Sequence, residues 1–216
     1  MICLVTDRWH LPGGDLPGQV RDAVDLGIDL IHVRERDLEA GALAALVAAL
    51  LVITRGTSTR LVVNDRLDVG LACGTDGVQL RGDSIPVAAA RRLAPSGFLI
   101  GRSVHSVSEA IAAADADYLV AGTVFPSASK AAGTTLLGIE GLRAIVRAVD
   151  RPVLAIGGVS GSRIGEVADA GAAGFAAIGL FLPSHRDAQG RGDRLAELRQ
   201  IVKGARSRFD RLNSTP

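Results

Sequence analysis

Five stretches of the chain concentrate residues that could handle an anion. "LIHVRERD" (30–37) sets His32, Arg34 and Arg36 on alternate positions. Alternate side chains of an extended strand share a face, so an imidazole and two guanidiniums are expected to point one way from the end of an apolar run. The planar guanidinium fork grips carboxylate and phosphate oxygens in pairs; two such groups at one strand end predict an anionic ligand. "VVNDR" (62–66) adds Asn64 and Asp65, and "QLRGDS" (79–84) a second carboxylate, Asp83. Mg²⁺ takes oxygen ligands and keeps waters and substrate phosphates among them, so Asp65 and Asp83 are candidate ligands of that ion. Asp65 has a competing use as the N-cap of a helix starting at Arg66. "GTVFPSASKAAG" (122–133) offers Thr123, Ser127, Ser129 and Lys130, hydroxyls and an ammonium in a small-residue loop suited to cradling phosphate. In "AIGGVSGSR" (155–163), Gly157 and Gly158 let backbone N–H groups approach a phosphate, with Ser160 opening a helix. "AAIGLF" (176–181) adds Ile178 and Gly179.

"GRSVHS" (101–106) carries Ser103 and His105. His105 suits a general base, a ligand contact or a cap of the helix that starts near Ser106. His10 and His185 lie in polar loops and carry no role. No His/Cys cluster has zinc spacing, and neither a GxSxG elbow nor a GxxxxGK[ST] loop occurs.

Something must bring these segments together. Apolar β-type runs recur at 2–7, 30–34, 60–65, 77–80, 98–103, 118–124, 152–158 and 174–181. Helical patterns lie between them at 16–26, 39–54, 66–73, 86–94, 106–115, 139–149 and 160–170, with a last one near 193–208. Alternating strands and helices imply parallel βαβ units. Strands apolar at nearly every position fit burial on both faces. Eight units predict a single α/β domain, a (β/α)₈ TIM barrel over 1–210, with a polar tail at 211–216. An open doubly wound sheet is the alternative, but no GxGxxG turn follows the first strand. The polar residues and glycines close the strands at their C-terminal ends, where such barrels carry their active sites.

Composition removes other classes. The net charge of +1, with both signs interspersed, gives no basis for binding nucleic acid or an anionic membrane. No run reaches the roughly 18 apolar residues of a membrane span. "MICLVTD" lacks the charge and length of a signal peptide. Cys3 and Cys73 have no CxxC spacing and read as reduced core residues. A cytoplasmic protein is expected, and assembly as a homo-oligomer is left open.

Taken in order, "VTD", "IHVRERD", "VVNDRLDVGLACGTDGVQL", "IGRSVHS", "DADYLVAGTVFPSASK", "PVLAIGGV" and "GAAGFAAIGLF" resemble the thiamine-phosphate synthase/TenI family, from about residue 2 to residue 182. The resemblance implies a TIM barrel, a place in thiamine biosynthesis, and one of two activities. The synthase joins a hydroxymethylpyrimidine pyrophosphate to a thiazole phosphate and releases pyrophosphate, with Mg²⁺. Its strand-two Gln-x-Arg-x-Lys becomes His32, Arg34 and Arg36 here. Its Asn-Asp is kept as Asn64 and Asp65. Its acidic ligand after strand four falls on Ser84 in an ungapped alignment, with Asp83 next door. Its Thr-x-Thr-Lys becomes Ser127, Ser129 and Lys130, and Gly157 and Gly158 match its strand-seven glycines.

The TenI-type tautomerase instead moves a proton on a thiazole carboxylate phosphate, and "IHVRER", "VQL" and "GRSVHS" look closer to that branch. That branch implies a histidine base in Gly-His-Val-Phe, where this chain has Thr123, whose hydroxyl is no base near neutral pH. Departure of a pyrophosphate asks for neutralised charge more than for a base. Arg34, Arg36, Lys130 and Mg²⁺ on Asp65 supply it, so synthase-type chemistry is expected. The tautomerase and a non-catalytic regulatory phosphate-binding barrel remain as alternatives.

Overall fold

The computed structural model describes residues 1–127, 135–182 and 190–213. Eight short strands form in chain order: β1 (Ile2–Val5), β2 (Leu30–Val33), β3 (Arg60–Asn64), β4 (Gly77–Leu80), β5 (Leu99–Val104), β6 (Tyr118–Gly122), β7 (Val153–Ile156) and β8 (Gly174–Ala177). Every neighbouring pair is parallel, and β8 pairs back to β1, so the sheet closes into a barrel. Helices α1 (Leu16–Asp25), α2 (Ala40–Thr54), α3 (Leu67–Cys73), α4 (Val87–Leu93), α5 (Val107–Ala112), α6 (Gly138–Ala148), α7 (Ile164–Asp169) and α8 (Arg191–Asn213) follow the strands in turn. This is the (β/α)₈ barrel expected from the eight strand–helix units.

Strand alternation divides the apolar residues between two cores. One set, among it Leu4, Ile31, Val33, Leu61, Val63, Val78 and Ile100, packs outward against the helices. The other, Cys3, Val5, Leu30, Val62, Tyr118, Val120, Leu154 and Ala176, fills the barrel interior. Both faces are buried, which is why the strands read as nearly unbroken apolar runs. In the all-apolar α2, Leu43, Val47, Leu50 and Leu51 are buried at helical spacing, while Val52 on the outer face is 77% exposed.

Three boundaries differ from the sequence expectation. The strand beginning at Leu30 stops at Val33, so Arg36 stands on the turn after it. The segment at 160–170 opens as a 3-10 turn, Gly161–Arg163, before α7. The last helix runs to Asn213 and takes in the first three residues of the expected tail. Both cysteines are free. Among the described residues, no helix is long and apolar enough to cross a membrane.

Candidate active site

All eight strands run the same way, so their C-terminal ends share one mouth. Arg34, Asp65, Thr123, Gly157, Gly158, Ile178 and Gly179 follow strand ends there, with Ser103 near the end of β5. The most consequential contacts come from the β1 end. Thr6 Oγ1 donates to Glu35 Oε1 at 2.6 Å and accepts the Arg34 N–H at 2.9 Å. Arg8 Nη1 donates to Glu35 Oε2 at 2.8 Å and to Asp37 Oδ1 at 2.7 Å, and its Nη2 pairs with Asp37 Oδ2. Arg8 pulls the exposed Asp37 carboxyl down to about pKa 2. The two acids flanking the basic pair are therefore spent on Arg8. Among the described residues, neither the Arg34 nor the Arg36 guanidinium makes a hydrogen bond or ion pair. Arg34 is half-buried, and burial together with Arg36 holds its pKa below the ordinary arginine value. Two neighbouring cations, one of them partly desolvated, make a site waiting for negative charge.

His32 lies inside the barrel, 7% exposed, with Nε2 3.2 Å from Asn64 Oδ1. Burial first, then the Arg34 charge, push its pKa down to about 3. The ring is neutral at physiological pH, and facing an amide oxygen its Nε2 is the protonated nitrogen. Beside it, Gln79 Nε2 donates to Ser103 Oγ at 3.1 Å. His32, Asn64, Gln79 and Ser103 thus form an uncharged polar layer between the apolar interior and the mouth.

Asp65 has φ +60°, the one non-glycine residue of positive φ among the described residues. Such conformations gather at functional sites because they cost energy and need a reason. The helix-cap alternative fails: the residue before α3 is Arg66, and no side chain caps that helix. The Asp65 carboxylate accepts the Arg81 N–H at 3.4 Å, and Arg81 Nε stands 3.7 Å away. Asp83 behaves differently. Its side chain is 70% exposed and gripped through both oxygens by Arg81, which lowers its pKa. Arg81 thus stands between the two expected metal ligands, and Asp65 is the one lying at the mouth. Among the described residues, no cluster of three or more His, Cys, Asp or Glu forms a protein-only metal cage.

The β6 and β7 loops are joined by backbone. Val124 N–H donates to Ile156 O at 2.9 Å and Phe125 N–H to Gly157 O at 3.0 Å. Gly157 (φ +99°) and Gly158 (φ +62°) need glycine both for conformation and for space. A Cβ on the first would overlap Thr123, and one on the second the Phe125–Pro126 backbone. Arg163 fastens the joint, donating to Gly158 O at 3.0 Å and lying 4.6 Å over the Phe125 ring. Gly179 opens the 3-10 turn Gly179–Phe181, and a Cβ there would meet nothing within 4 Å. The site is open beside it. Ile178 packs on the interior cluster, and Ser127 is half-buried in the β6 loop. Ser129 and Lys130 lie outside the described residues.

His105 sits on the rim, 60% exposed, with Nδ1 3.1 Å from Glu109 Oε2. The helix-cap role belongs to Ser106, whose Oγ accepts the Glu109 N–H. Thr6, Arg8, Gln79 and Tyr118 were not singled out from sequence. Gln79 had a visible signal, an amide inside the apolar run "GVQL". Thr6 had a weaker one, as the polar close of the first run. Arg8 had none, because its partners lie 27 and 29 residues away.

The arrangement suits binding and neutralising phosphate groups better than proton abstraction. Comparison with known proteins agrees. A family model described as thiamine monophosphate synthase matches residues 2–181. A putative thiamine-phosphate synthase of Geobacter sulfurreducens is 41% identical over 181 residues, 83% of this chain and 85% of that protein. The thiamine-phosphate synthase of Methanoculleus marisnigri is 38% identical over 97% of this chain and 93% of its own. Among solved structures, thiamine phosphate pyrophosphorylase from Pyrococcus furiosus superposes with TM-score 0.78 at 35% identity, covering 94% of this chain and 96% of that one.

Proposed function

The chain belongs to the thiamine monophosphate synthase family, and from that premise we propose how its own residues perform the synthase reaction. A hydroxymethylpyrimidine pyrophosphate and a thiazole phosphate meet at the mouth. The C–O bond from the pyrimidine methylene to pyrophosphate breaks, and its electron pair leaves with the oxygen. A C–N bond forms from the thiazole nitrogen to the same carbon. The products are thiamine phosphate and pyrophosphate.

The observation that carries this reading is the unpaired state of Arg34 and Arg36, released from their neighbouring acids by Arg8. Charge grows on the departing oxygen in the transition state, and fixed donors already aimed at it lower the barrier. Arg34 and Arg36 bind the leaving pyrophosphate, and Ser103 adds a hydroxyl donor. The neutral His32–Asn64 pair lies beneath, where the pyrimidine ring would rest. The backbone of Gly158 and Gly179 lies on the other side of the mouth and receives the thiazole phosphate, where glycine gives the closest approach.

Mg²⁺ fits one carboxylate here. Asp65 is at the mouth, a quarter exposed, with no close ion pair, and this ion accepts one or two carboxylates with phosphate oxygens and waters completing its shell. Asp65 would hold it; Asp83 would contribute only by leaving Arg81. When bound, the ion supplies further charge neutralisation for the pyrophosphate. We place the reaction in the cytoplasm, in keeping with free cysteines and small phosphorylated substrates.

The test is thiamine phosphate formation by the purified protein from the two substrates, with Mg²⁺ and with EDTA. Formation that needs Mg²⁺ is expected. No product with Mg²⁺ present, alongside isomerisation of a thiazole carboxylate phosphate, would reject the synthase in favour of the tautomerase.

A further inference from the structure

We propose that Gln79 and Tyr118 are positioning residues that make Ser103 a hydrogen-bond donor toward the pyrophosphate; this rests on the synthase reading. Gln79 is 2% exposed and Tyr118 1% exposed, and both stand inside the barrel. The register sets Gln79 opposite Gly101 and Gly101 opposite Tyr118, so the three lie side by side on β4, β5 and β6. A Cβ on Gly101 would overlap both Gln79 Oε1 and the Tyr118 ring and hydroxyl. The two polar atoms therefore converge over the one position without a side chain. Neither finds a partner among the described residues.

The amide orientation is settled by its other end. Gln79 Nε2 lies 3.4 Å from Leu80 O and 3.1 Å from Ser103 Oγ. A backbone carbonyl only accepts, so the atom facing it is the NH₂ group. Ser103 Oγ therefore accepts from Gln79 and keeps its own proton to give. Oε1, turned to the interior, is an acceptor facing the Tyr118 hydroxyl. Buried polar groups left unsatisfied are costly, so the Tyr118 proton goes to Oε1, directly or through one water held over Gly101.

The chain then runs in one direction: Tyr118 O–H to Gln79 Oε1, Gln79 N–H to Ser103 Oγ, Ser103 O–H to the ligand. Each bond polarises the next. Every member is neutral, so the relay presents a proton to an anion without burying a charge. Reversing the Gln79 amide would present Ser103's lone pairs to the pyrophosphate, which repel it.

Steady-state kinetics of Gln79→Met, Gln79→Glu and Tyr118→Phe test this. Gln79→Met should lower kcat about 10-fold, less than the roughly 10²-fold typical of deleting a donor outright. Gln79→Glu gives the decisive signature. Protonated, its carboxyl donates to Ser103 as the amide does; ionised, it accepts the Ser103 proton and turns the donor away. Burial raises a carboxyl pKa toward neutrality, so kcat of this variant should fall with rising pH along a limb absent from the unmodified enzyme. A pH profile parallel to the unmodified enzyme's would overturn the proposal, as would an unchanged kcat in Gln79→Met. Should the Glu variant not fold, Tyr118→Phe, which removes one oxygen, decides: it should lower kcat about 3-fold alone and not at all when Ser103 is already Ala. Full additivity of those two substitutions would count against the relay. Failure of the unmodified protein to form thiamine phosphate is a separate result and would reject the synthase reading itself.

Discussion

At the scale of single residues, the site keeps features that stability alone would not select. Arg34 is a half-buried cation with no counter-charge, and Asp65 holds a left-handed backbone at φ +60°. Each predicts a variant that loses activity without losing stability. Arg34→Met keeps the apolar stem and removes the unpaired charge. Its melting temperature should equal or exceed that of the unmodified protein, while kcat falls about 10²-fold, the scale of removing one preorganised donor; a melting temperature that drops with activity would mean Arg34 is structural. Asp65→Gly suits the positive φ better than any residue with a Cβ. It should raise unfolding stability by about 1 kcal/mol, read from the urea midpoint, and abolish Mg²⁺-dependent turnover. Residue types were the legible part of the sequence: His32, Arg34, Asn64, Asp65 and Ser103 could all be picked from strand ends. What could not be read was which arginines would be neutralised. Glu35 and Asp37 are the nearest acids to Arg34 and Arg36, yet both pair with Arg8 from β1. That choice is made by strand pairing across 27 and 29 residues of chain, not by adjacency.

At the scale of elements, strands and helices were legible because a barrel buries its strands on both sides and its helices on one, leaving two distinct periods in the sequence. The loops were less so. Glycines at 157 and 158 looked like a phosphate approach, and the structure adds a second requirement, since side chains there would strike the β6 loop. The two loops thus form one unit, closed by Arg163 across Gly158 O and the Phe125 ring. A site assembled from such a unit should respond to loss of its fastener mainly in binding. Arg163→Ala is expected to raise the KM for thiazole phosphate several-fold, about 1 kcal/mol for a cation–π contact and one hydrogen bond, and to leave kcat within about 2-fold. A fall in kcat with unchanged KM would show that the loops govern chemistry and not substrate capture.

At the scale of the whole molecule, a closed barrel has no edge through which an interior group can reach water short of opening the sheet. His32 is such a group, and its neutrality is therefore coupled to folding. Its pKa is about 3 in the folded chain against an ordinary value of 6.5. Between those values the unfolded chain binds a proton that the folded chain refuses. Stability therefore rises with pH across that window and is lost as pH falls from about 6.5 toward about 3. Carboxylates held low, such as Asp37 at about 2, act in the same direction but only below the ordinary range of Asp, near 3.8. The interval from about pH 6.5 to about pH 4.5 thus isolates the histidine. His32→Gln offers a direct comparison: glutamine still donates to Asn64 and never titrates. Urea unfolding across that interval should show a clear loss of stability toward acid in the unmodified protein and a flatter profile in the variant. Identical slopes would mean that His32 escapes its buried position before the barrel unfolds. Because glutamine restores the residue that the synthase pattern carries at this place, the variant should also retain turnover, which separates the cost of burying an imidazole from any catalytic use of it.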